Sequence, residues 1–103
     1  MFSLIRSPSV PAGTVQGFQN DGAGTVYAAI AHTQQGNIPG KAQGNNCWYP
    51  YGGKEHLTHD FSWIVAPGYS LKQAYESPAV GLATGHQTDG AGYLWAAIAH
   101  SMG

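Results

Sequence analysis

The sequence predicts an all-β fold: one small sandwich- or barrel-like domain built from two tandem repeats, the second truncated. Three observations carry that prediction. The segment QNDGAGTVYAAIAH at residues 19–32 returns as QTDGAGYLWAAIAH at residues 87–100, a constant offset of 68, and eleven of sixteen positions are identical from Gly17 and Gly85 onward. A repeat of this kind is one supersecondary unit used twice, with the copies packed to close a common core. Fifteen glycines, six prolines and 12% aromatic residues make the composition that of turn-rich β structure. Asp-Gly between apolar runs, at Asp21-Gly22, signals a hairpin, because glycine accepts the positive φ such turns need. The domain spans residues 1–103, with repeat one at about 10–66 and a partial repeat two at about 79–103.

The elements follow in order. Residues 2–6 read as a short first strand, and residues 7–13, with Pro8 and Pro11, as a turn region. Residues 14–19 and 25–32 read as two strands around the Asn20-Asp21-Gly22-Ala23-Gly24 turn. In the second of them Val26, Ala28, Ile30 and His32 share one face and Tyr27, Ala29 and Ala31 the other; the small alanines imply close sheet packing. A helix over YAAIAH is rejected because the run is short, follows a hairpin turn and carries no charged solvent face. Residues 34–46 are polar and Gly-rich, which predicts a long loop with Pro39-Gly40 as a turn inside it. Residues 47–51 read as an aromatic strand, Gly52-Gly53 as a turn and residues 61–65 as another strand. A single helical turn is expected at residues 71–75, and residues 80–84 lead into the second copy.

Composition excludes several functions. Hydrophobic residues at 43% and charged residues at only 9% exclude a disordered chain, which is charge-rich and aromatic-poor. The net charge is −1 and the cations Arg6, Lys41, Lys54 and Lys72 are scattered, so no nucleic-acid footprint exists. No apolar run reaches the ~20 residues of a spanning helix, and membrane insertion is not expected. The start, MFSLIRSPSVPAG, lacks the regions of a signal peptide, and the single Cys47 forbids an internal disulfide. A soluble protein is expected, cytoplasmic or released without a signal peptide.

With so few charges, their placement is informative. Asp21 and Asp89 fall at equivalent turns of the two copies, and Lys41, Lys54 and Glu55 in Gly-rich turns of the first. Fixed carboxylates and ammonium groups bordered by aromatic rings suit a neutral, hydroxyl-rich ligand: vicinal hydroxyls donate to a carboxylate and accept from lysine, and the apolar face of a sugar rests on a ring. Charge-assisted bonds of this kind are about twice as strong as neutral ones. The bland alternative is that each aspartate only bonds its own turn backbone and that Lys41 is a solvated loop lysine. Glu55, His56 and His59 do not make up a zinc ligand set, and no cofactor is implied. Cys47 with His56 or His59 as base has no supporting local motif, and neither a phosphate loop nor a serine elbow is present. No enzyme is expected.

Together, Pro-x-Gly-x-x-x-Gly at residues 11–17, Asp21-Gly22, Tyr27-Ala28-Ala29, Ile38-Pro39-Gly40-Lys41 and Tyr51-Gly52-Gly53-Lys54-Glu55-His56 resemble the DM-nine repeat proteins, which include mannose-binding lectins and the lectin module of natterin-like proteins. The resemblance covers residues 10–65 well and 80–100 in part. It implies an all-β fold of two interlocked repeats that binds mannose-type glycans in innate recognition, often as a homodimer. The family's lysine carries over to Lys41. Its acidic residue falls on Asp21 if the hairpin has one inserted residue, and otherwise on Gln19. The second copy lacks counterparts of Pro-Gly-Lys and Gly-Gly-Lys-Glu-His, so a second chain is expected to complete it, with Asp89 near an intersubunit site. The expected function is a carbohydrate-binding lectin; the alternative is a non-catalytic structural or protein-interaction module.

Overall fold

A computed structural model describes residues 2–71, 84–88 and 92–97. They form nine strands and no helix: β1 (Ser3–Ile5), β2 (Gln16–Gln19), β3 (Gly24–Thr33), β4 (Gly36–Gln43), β5 (Asn46–Tyr51), β6 (Lys54–Thr58), β7 (Phe61–Val65), β8 (Thr84–Gln87) and β9 (Gly92–Trp95). All belong to one antiparallel sheet in the order β1-β7-β3-β4-β5-β6, with β2 added to β3, β8 to β4, and β9 to β8.

The long β3–β4 hairpin is the spine, and the sheet forks on both sides of it. On its outer side β3 pairs first with β2, through residues 24–27, then with β7, through residues 29–31. β4 pairs first with β8 at Gly36 and Asn37, then with β5 at residues 41–43. A flat sheet is only ~10 Å from the next layer on either face. Here the principal extents are 32 × 31 × 30 Å, so the forked sheet curls upon itself, and both faces of its centre are covered.

The core follows from the alternation predicted for β3. Ala29 and Ala31 stand directly opposite Trp63 and Phe61 on β7, small side chains leaving room for large ones. Ala42, Cys47 and Val65 complete this buried cluster, and Tyr27 and Tyr49 pack against it. Trp63 meets Tyr27 and Phe61 edge to face, at centroid distances of 6.0 and 5.0 Å, and donates its indole N–H to the Ser7 carbonyl at 2.9 Å. Ile30 and Ile64 are buried on the opposite face. Every residue of β7 is buried, as expected of a strand covered on both sides.

The two copies of the repeated sequence form hairpins of the same register. Gln16↔Tyr27, Gly17↔Val26, Phe18↔Thr25 and Gln19↔Gly24 in the first become Thr84↔Trp95, Gly85↔Leu94, His86↔Tyr93 and Gln87↔Gly92 in the second.

Two expectations need correction. Residues 34–46 are not a long loop: they hold β4, and Pro39-Gly40 lies inside that strand. The ladder explains how a proline sits there. Ala28 donates its N–H to the Val15 carbonyl at 2.8 Å and His32 to the Asp60 carbonyl at 2.9 Å, so the alternate residues Ala28, Ile30 and His32 aim their backbone groups away from β4. Their partners Lys41, Pro39 and Asn37 then aim theirs away from β3. Asn37 meets β8 and Lys41 meets β5. Pro39 falls in the fork between them, where no strand asks for its missing N–H. Gly40 is required because β5 passes close by: a Cβ there would lie 2.3 Å from the Trp48 carbonyl oxygen. Lys54 and Glu55, expected in a turn, open strand β6. The helical turn expected at residues 71–75 falls outside the described residues beyond Leu71, which is not helical.

Candidate functional site

On the face of the spine opposite the aromatic core, side chains from β2, the turn after it, β4 and β6 form a row. Gln19 closes β2, Asp21 lies in the following turn, Lys41 sits in β4 across from Ala28 and Trp48, and Glu55 sits in β6 across from Pro50. The Gln19 amide bridges the two opposite charges: its Nε2 donates to Asp21 Oδ2 at 2.7 Å, and its Oε1 accepts from Lys41 Nζ at 2.9 Å. Lys41 Nζ also lies 3.5 Å from Glu55 Oε1. The row is therefore carboxylate, amide, ammonium, carboxylate, running across the strands. Ala28, directly opposite Lys41 on β3, is small and leaves the lysine side chain room.

The turn is built from its sequence. Gly22 takes φ 99, and Asp21 Oδ1 accepts the Ala23 N–H at 3.1 Å. That backbone bond first, and the Gln19 amide second, hold the Asp21 carboxyl below its ordinary 3.8. Gln43 fastens the turn from β4, its Nε2 donating to the carbonyls of Ala23 and Thr25 at 2.6 and 3.0 Å. The Lys41–Glu55 pair is itself weak: the side chains are 40% and 59% exposed, and such pairs contribute ~0–1 kcal/mol. Its significance lies in placement, because the row borders a cavity of 420 Å³ whose lining includes Lys41, Glu55, Ala28, Trp48, Pro50 and Trp95.

The structure thus brings together Gln19, Asp21, Lys41 and Glu55 and separates Lys54 from them. Lys54 pairs with Tyr51 in register, so it belongs to the opposite face of the β5–β6 hairpin. Asp89 lies outside the described residues. Asp21 and Gln19, which alignment offered as alternatives for one role, are joined to each other. Sequence reasoning missed Gln43, Trp48 and Trp95; alternation from Lys41 would have found Gln43, had residues 34–46 been read as a strand.

Other chemistry-bearing groups have structural partners. His56 stacks on Tyr49 at 5.4 Å and bonds the Tyr51 carbonyl at 2.9 Å; His59 bonds the Asn45 carbonyl at 2.9 Å. No three of His, Cys, Asp and Glu converge among the described residues. Cys47 is buried, and burial pushes its thiol up to about 12. Asn37 Oδ1 accepts from His32 Nδ1 at 2.9 Å, and Ser62 Oγ donates to His32 Nε2 at 2.8 Å. This has the outline of a nucleophile with its base. Yet Ser62 is only 4% exposed, neither residue lines the cavity, and an amide cannot stabilise an imidazolium as a carboxylate does.

No protein-family model, curated protein or solved structure matches the chain.

Proposed function

We propose that the protein is a carbohydrate-binding lectin for mannose-type glycans and that it performs no chemistry on them. One observation carries the reading: a row of alternating acceptor and donor side chains, Asp21-Gln19-Lys41-Glu55, already in place beside an aromatic-walled cavity. Vicinal hydroxyls can donate to a carboxylate and accept from the ammonium, while Trp48, the cross-strand neighbour of Lys41, offers a ring to the apolar sugar face. Bonds to charged groups contribute about 1.5–3 kcal/mol each, and a preformed row avoids the ordering cost that otherwise weakens binding. The mannose class rests on the sequence resemblance to DM-nine lectins.

A glycosidase would need one carboxyl kept protonated as general acid. Asp21 is held low, which argues against that role. The homodimer expected from the short second copy has support in β9, whose outer edge pairs with no other described strand; sedimentation at micromolar concentration tests it, and a monomer would refute it.

Calorimetric titration with mannose and a mannose oligosaccharide, galactose serving as control, tests the function. Heat for mannose that disappears in Asp21→Ala and Lys41→Ala is the expected result. Silence on all sugars would favour the structural or protein-interaction module instead.

A further inference from the structure

The cavity beside the charged row is walled from two parts of the chain: Lys41, Trp48, Pro50 and Glu55 belong to β4, β5 and β6, and Trp95, Ala96 and Ala97 to the second hairpin copy and the residues after it. Lys41 and Glu55 are the charged side chains that line it among the described residues. The remainder of its wall, from Val26, Ala28, Trp48 and Pro50 to Trp95 on the second hairpin copy, is dominated by side chains that neither donate nor accept strongly. Trp95 remains 45% exposed, so its ring has surface left to cover. The volume of 420 Å³ falls within the roughly 300–1,000 Å³ that house a whole small organic ligand, and exceeds what one sugar ring fills.

A second, fully hydroxylated ring against Trp95 would lose water without gaining partners, a net cost for each unmet hydroxyl. A planar or alkyl group there would gain from burial instead. From this the geometry points to a second subsite in the same cavity: Trp95 holds the apolar aglycone of a glycoside whose sugar sits on the Asp21-Gln19-Lys41-Glu55 row beside Trp48. The assignment rests on the glycan-binding reading. It gives the second sequence copy a task of its own, since Trp95 supplies the far wall and replaces the Tyr27 of the first copy.

Calorimetry on the full chain with methyl mannoside and phenyl mannoside separates the two ideas. The wild type is expected to bind the phenyl glycoside about tenfold more tightly, the effect of burying one ring. Trp95→Ala is expected to abolish that advantage, with thermal unfolding of the variant showing that it is folded. Ala96→Leu, which fills the cavity without removing a ring, should do the same. Equal affinity for both glycosides in the wild type, or a phenyl advantage that survives both substitutions, overturns the aglycone subsite and leaves the lectin reading standing. So does a mannobiose that gains as much through Trp95 as the phenyl glycoside, since a second sugar would then be the occupant. Absence of binding to either glycoside fells both ideas together.

Discussion

Gln19 is the residue on which the site turns, because one planar amide can satisfy a carboxylate and an ammonium at once while holding them a fixed distance apart. Without it Asp21 keeps its bond to the Ala23 N–H and Lys41 keeps Glu55, but nothing fixes the spacing between them. Gln19→Ala is expected to weaken mannose binding by about tenfold, the loss of one net charged hydrogen bond. A second readout separates this from simple misfolding. The amide is among the causes that lower the Asp21 carboxyl from 3.8. A lowered carboxyl means that binding, and the small stabilisation from Asp21, are complete above 3.8 and are lost as pH falls through the lowered value. In Gln19→Ala that loss should begin at higher pH; an unmoved pH profile would refute the bridge. Cys47 titrates in the opposite sense. Its thiol is raised from 9.0 to about 12 by burial, so the unfolded chain releases the proton first, and stability declines as pH rises past 9.0. Native protein should resist alkylation at neutral pH and react only when unfolded. Rapid labelling of the folded protein would contradict the buried placement.

Among the elements, β4 shows why part of the structure was legible in the sequence and part was not. The β2–β3 hairpin announced itself through Asp-Gly between apolar runs, and the alternation of Val26, Ala28 and Ile30 against Ala29 and Ala31 followed from period two alone. β4 carries Pro39 and Gly40, the two residue types that usually interrupt strands. They fit because β4 changes partners at Pro39 and is crowded by β5 at Gly40, and both circumstances depend on strands distant in sequence. Lys41, singled out in the sequence as a turn residue, lies within this strand. Its cavity neighbours Trp48 and Trp95 stayed unread, because no local signal relates residue 95 to residue 41. Gly40→Ala tests the close approach. A methyl 2.3 Å from the Trp48 oxygen must push β5 away, with an expected destabilisation of ~1–3 kcal/mol and weaker mannose binding through the displaced Lys41. Denaturant titration measures the first effect, and unchanged stability would show that the strands separate freely.

At the scale of the whole molecule, the forked sheet divides the chain into a thick part and a thin one. β3, β4 and β7 share the buried aromatic cluster, to which no described residue of β8 or β9 belongs; β8 pairs with β4 at Gly36 and Asn37, and the Thr88 N–H donates to the Gln35 carbonyl at 2.7 Å. Because Pro39 leaves a gap in the ladder, the β8 pairing and the β5 pairing on the same strand are not hydrogen-bonded to each other. The consequence is a difference in local opening free energy, which in proteins ranges from ≈ 0 up to the global value. Amide hydrogens of β8 and β9 should exchange with deuterated solvent well before those of β3 and β7. Since Trp95 walls the cavity, a ligand lying against it should slow exchange in this hairpin selectively. Uniform protection across all strands would mean that the molecule opens as a single unit. If the hairpin does open alone, the proline in β4 acts as a perforation: a built-in line along which one wall of the cavity can swing aside to admit a ligand while the charged row stays in place.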